Sequence, residues 1–199
     1  MTDDTDDTVS LKEIWGAIPM LSDDVQRWLI VMDETPEGDA EGEEFVYRML
    51  LRTAVAVIEG ITFRVVLQAS VVGSAQRPDF ISQELAKFYE FDENGIAAAP
   101  PERSGMLEAI RFGFHAYAQA HDSDYSLGTP DDNWEVIDDI AGLHRQLVAP
   151  GRVEDLVVTE EDFVKISRGI GWFLKRWHEL LFKCGHALIE TTPLQGPVM

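Results

Sequence analysis

The chain has 199 residues and a mass of 22.3 kDa, which suits one domain, and a domain of this size hides roughly 70% of its extended-chain surface. Sixteen Lys and Arg stand against thirty-six Asp and Glu, a net charge of −20. A field of that sign repels phosphate backbones and anionic lipid and argues against general nucleic-acid binding. Cys184 is the single cysteine, which excludes an internal disulfide and a cysteine-built zinc cage.

In chain order, residues 1–9, "MTDDTDDTV", are acidic and polar, unlike a secretory signal or an organelle presequence, and read as a disordered start. With no unbroken run of eighteen apolar residues, no membrane association is expected and the protein belongs in the cytosol. One domain is expected over 10–190. "SLKEIWGAIPML" is a short amphipathic piece ending near Pro19, and Ser22 then caps a helix through Met32. Residues 33–44 hold seven acids with a proline and two glycines, a solvated loop. From about Glu43 to Val72 the sequence predicts one long helix. Its β-branched residues suggest a strand, but Gly60 is the sole turn signal, and Arg48, Arg52 and Glu59 recur at helical spacing.

"GSAQRP" breaks that helix, another follows over 79–90, and "DENGIAAAPPERSG" is a loop. Met106 to about His121 is helical, with Leu107, Ile110, Phe114 and Tyr117 on one side. Thr129-Pro130-Asp131-Asp132 is a strong helix start, and Trp134, Ile137, Ala141, His144 and Val148 follow as a buried seam. After Pro150-Gly151, Thr159 and Asp162 make a capping box that Val158 and Phe163 staple. The last helix repeats Phe163, Ile166, Ile170, Phe173, Trp177, Leu180 and Cys184 at alternating spacings of three and four. Residues 191–199 form a flexible tail. The expected fold is all-α, a bundle of about five main helices with one long helix and short connections.

Few residues point to chemistry. None of the histidines gives the i, i+4 pair that would bind a metal on a helix. Asp131, Glu135 and Asp138, or Asp132, Glu135 and Asp139, share a helical face, but a metal or nucleotide site needs matching carboxylates on a facing helix. Acids near a helix N-terminus are also favoured by the helix dipole alone. Arg52 and Glu59 sit among apolar residues, so they pair with each other, pair with neighbouring helices, or line a groove. Nucleophile elbows, phosphate-binding glycine loops and dinucleotide fingerprints are absent, and no cofactor is expected.

The order of parts over residues 45–182 resembles the HEPN superfamily of small all-α domains. A long helix with Arg52 and Glu59 comes first. A Trp-containing helix follows, ending in "LHRQLVAPGRVEDLVV", and then a capped helix with "GIGWFL". The resemblance implies a place in prokaryotic defence or toxin–antitoxin systems. Active members are metal-independent RNases whose Arg and His, at a helix end, face the same pair across a two-fold dimer. In that chemistry His moves a proton at the ribose 2′-hydroxyl and Arg holds the phosphate. Aligned on Pro150, this chain has Ala149 where that His belongs and His144 where the Arg belongs. An alanine methyl moves no proton.

The expected function is therefore that of a non-catalytic binding or regulatory domain, a homodimer with a possible protein partner, using Arg52, Glu59 and Arg145 as contact residues. His144 is expected as a hydrogen-bonded core or interface histidine. Trp172, Phe173 and Trp177 exceed what one seam hides, which points some of them to a subunit contact. The alternatives are an active enzyme, either an RNase using His144 and Arg145 or a hydrolase using the acids of 131–139, and an acidic inhibitor that mimics nucleic acid.

Overall fold

The computed structural model describes residues 18–36, 38–88, 105–128 and 132–185. The expectations for residues 1–9, the loop before Gly105, the start signal at Thr129–Asp131 and the tail lie outside the described residues. Those residues form six α-helices and no strand, an all-α bundle: α1 Ile18–Glu34, α2 Ala40–Ser74, α3 Phe80–Phe88, α4 Met106–Ala120, α5 Asp132–Val148 and α6 Glu160–Lys183. A 3₁₀ turn, Val153–Leu156, joins α5 to α6.

The first helix differs from the sequence expectation. Helix α1 runs unbroken from Ile18 instead of restarting at Ser22. Pro19 falls in its first turn, where a missing N–H breaks no helical hydrogen bond. The acidic loop is also shorter than 33–44. Asp39 caps α2, its Oδ1 accepting from the Gly42 N–H at 3.1 Å. Glu41 and Glu43 stand in the first turn of α2, where the free N–H groups favour carboxylates.

Helix α2 is the spine, and each of the other five helices packs against it. Leu50, Leu51, Ala54, Val55, Ile58, Ile61, Val65 and Ala69 are buried along its length. Burial of a Val or Ile side chain yields about 1.5–3 kcal/mol, well above the few tenths by which β-branching disfavours a helix. That difference is why the β-branched run is helical. A window of mean hydropathy 1.7 makes α2 long and apolar enough to cross a membrane by composition. In this fold 44% of that window is buried inside the bundle.

Close approaches set the packing of the outer helices. A Cβ at Gly73 would lie 2.2 Å from the Phe80 ring, so only glycine lets α3 fold back onto the end of α2. A Cβ at Gly169 would lie 2.3 Å from Ile140 Cδ1, which marks where α5 and α6 cross. The predicted capping box forms: Thr159 Oγ1 accepts from the Asp162 N–H at 3.2 Å and Asp162 Oδ2 accepts from the Thr159 N–H at 3.0 Å.

Two expectations about apolar faces are corrected. Trp172, Phe173 and Trp177 are all buried within the chain, none left for a subunit contact. Helix α6 packs against both α2 and α5, so its buried face is wider than one seam. On α5 the buried stripe is Trp134, Val136, Ile137, Ile140 and Leu147, while Val148 is 62% exposed. The helical repeat of 3.6 carries the stripe to Leu147, leaving His144 on its flank.

Candidate functional site

A groove of about 720 Å³ opens between four helices. Glu59, Thr62, Phe63 and Val66 of α2 form one wall. Ile81 and Leu85 of α3, with Met106, Ala109 and Phe112 of α4, continue the apolar lining. Ala141, His144 and Arg145 close it from α5. Its size and composition, apolar with a few polar groups, match those of ligand-binding clefts. Phe63, in that lining, is 67% exposed.

The sequence-predicted residues divide around this groove. His144 is half-buried and makes no hydrogen bond to a described residue, so it is not the hydrogen-bonded core histidine that its place in the pattern suggested. It lines the groove beside exposed Arg145. Glu59 is exposed and lines the same groove, the third of the arrangements open to it. Arg52 is exposed, lies outside the groove lining and forms no ion pair with a described residue, so the expected Arg52–Glu59 or cross-helix pairing is absent among the described residues. Arg48 instead holds Glu44 in an ion pair and donates to the Leu156 carbonyl at 3.5 Å.

The carboxylates of α5 do not assemble into a cage. Asp131 lies outside the described residues, and Glu135 and Asp138 are exposed. The Asp138 carboxyl is raised from its ordinary value, first by the packing around it and then by the charge of Glu108, with Arg145 pulling the other way. Among the described residues no three His, Cys, Asp or Glu converge. Cys184 is half-buried, and burial pushes its thiol up, away from the thiolate that a nucleophile needs.

A second cluster was not singled out from sequence. Glu84 of α3 is fully buried. Its Oε1 accepts from Arg77 Nη2 at 3.2 Å and its Oε2 meets His115 Nε2 at 3.2 Å. The Arg77 guanidinium also covers the Phe80 ring, 4.5 Å from its centroid. His115 also lines a small pocket of about 150 Å³, together with Arg111, Tyr125, Ser126, Leu127, Gly128 and Trp134. The Arg111 guanidinium sits 5.2 Å from the Trp134 ring centroid. The signal available in the sequence was "RFGFH", which places Arg111 and His115 four apart on one face of α4.

No family model, curated protein or solved structure matches this chain.

Proposed function

We propose that this protein is a non-catalytic, HEPN-like helical domain of the cytosol. It works by binding, with the groove between α2, α3, α4 and α5 as its contact site for a protein partner in a defence or toxin–antitoxin setting. The single observation behind this reading is the groove itself. It is apolar over most of its lining and carries Glu59, His144 and Arg145 at its rim, while Ala149, at the end of α5, has no group to move a proton. An apolar cleft with a polar rim is how a helix or side-chain anchor is recognised.

Homodimerisation belongs to the same proposal. Val148, Val153, Leu156, Val157 and Val164 are exposed around the 3₁₀ turn, at the helix end through which the resembling domains dimerise. Light scattering is expected to give twice 22.3 kDa, and Val153→Asp is expected to lower it to the single-chain mass. A dye that brightens in apolar clefts, 8-anilinonaphthalene-1-sulfonate, is expected to bind, and Phe63→Asp to reduce that binding severalfold at unchanged helix content.

One observation favours a second reading. His144 and Arg145 line one groove, so a rearranged pair would have its proton-transfer group and its phosphate-binding group side by side. Purified protein incubated with RNA, with and without EDTA, separates the two. No cleavage fits the binding domain. Metal-independent cleavage that disappears in His144→Ala would overturn it and establish the RNase.

A further inference from the structure

We propose that residues 10–17, the amphipathic piece ahead of α1, dock on α2 between Glu59 and Phe63 and cover that wall of the groove, so that whatever enters the groove displaces them. The inference rests on the open face of α2 and the register of α1, and does not require the binding-domain reading.

Helix α2 carries a line of exposed residues, Arg52, Ala56, Glu59 and Phe63, at spacings of four, three and four. Glu59 and Phe63 also line the groove. The same line begins at Phe45. Eighteen residues separate Phe45 from Phe63, which at about 3.6 residues per turn is five full turns. Phe45 meets Trp28 of α1, with ring centroids 6.0 Å apart. The face that receives α1 at one end of α2 is therefore the face left open at Phe63. A short connection joins α1 to α2, so the two run antiparallel. Ten residues back from Trp28 is Ile18, about 15 Å along the helix, and ten residues on from Phe45 is Val55. The first turn of α1 thus lies about level with Val55, one turn short of Glu59.

The sequence continues the contact past that point. Leu11, Ile14, Ile18, Leu21, Val25 and Trp28 recur at alternating spacings of three and four, the pattern of a seam against one neighbouring helix. Val25 is buried and Trp28 packs against the core, so this seam faces α2. Its first two members stand ahead of α1. Carried back in the same register, Ile14 comes level with Glu59 and Leu11 with Thr62 and Phe63. Lys12, the only base before Arg27, falls within one turn of exposed Glu59. Pro19 interrupts the hydrogen-bond ladder between the two pieces, so this contact and not continuity with α1 holds the segment. A tethered segment meets its site at an effective concentration on the order of mM, which gives it the advantage over a free competitor.

The test is disulfide pairing in the full chain carrying Cys184→Ser. Ile14→Cys with Glu59→Cys, and Leu11→Cys with Phe63→Cys, are expected to close within one chain under mild oxidation. Both should do so at least tenfold faster than Leu11→Cys with Lys175→Cys, an exposed position on α6. Binding of 8-anilinonaphthalene-1-sulfonate reads the same contact without added cysteines. Leu11→Asp and Ile14→Asp are expected to raise it severalfold by freeing the Phe63 wall, and Thr5→Asp to leave it unchanged. Pairing no faster than the control overturns the proposal, as does dye binding that Leu11→Asp and Ile14→Asp both leave unmoved. Disulfides that join two chains would assign the face to a second copy's segment and equally overturn it. Failure to find a protein partner for the groove would leave all these expectations in place.

Discussion

Glu84 shows how much one side chain can determine about its surroundings. It is fully buried, while its partners Arg77 and His115 are 42% and 38% exposed at the side chain. Removing the carboxylate therefore leaves a guanidinium and an imidazole that water can still reach. Glu84→Ala is expected to cost about 2 kcal/mol in urea denaturation, below the 3–5 kcal/mol typical when a wholly buried pair is broken. Asp138 is a subtler case. Its carboxyl is raised in the folded chain, so the fold holds that proton more tightly than the unfolded chain does. Ionising it then costs stability as pH rises through the carboxylate range. Asp138→Asn should raise the melting temperature near neutral pH, with the gain shrinking as pH falls toward the ordinary carboxyl value. A gain independent of pH would contradict this assignment.

At the level of helices, boundaries follow from local chemistry that can be altered one residue at a time. Thr159→Ala removes half of the α6 capping box and is expected to cost about 1 kcal/mol by thermal melting. Two helix glycines should respond with opposite sign. Gly73→Ala would drive a methyl into the rigid Phe80 ring, a loss of about 1–3 kcal/mol. Gly171→Ala meets open space on the exposed side of α6 and should stabilise by about 0.5–1 kcal/mol. The cap at Thr159 and the apolar rhythm from Ile166 to Leu180 were legible in the sequence because both are short-range. The start of α1 was not, because Pro19 reads equally as a helix end and as a first-turn residue. The groove was half legible. Glu59, His144 and Arg145 could be named, but their meeting depends on the packing of α2 against α5, and Phe63 or Leu85 reads as ordinary core. Glu84 in "SQELAKF" reads as a surface acid, since nothing nearby in sequence announces that Arg77 and His115 will enclose it.

For the molecule as a whole, charge and topology set the behaviour. A net −20 on one compact chain is a self-repulsion that mobile ions weaken, the Debye length falling from about 30 Å at 0.01 M to about 8 Å at 0.15 M salt. The melting temperature is expected to rise by several degrees over that interval with sodium chloride, and a flat response would place the acids too far apart to interact. The spine arrangement has a kinetic corollary. Because α2 touches all five of its companions, its central amides cannot meet solvent while any large part of the bundle remains docked. Deuterium should enter the stretch from Leu50 to Ala69 last and nearly synchronously, at a rate set by opening of the entire domain.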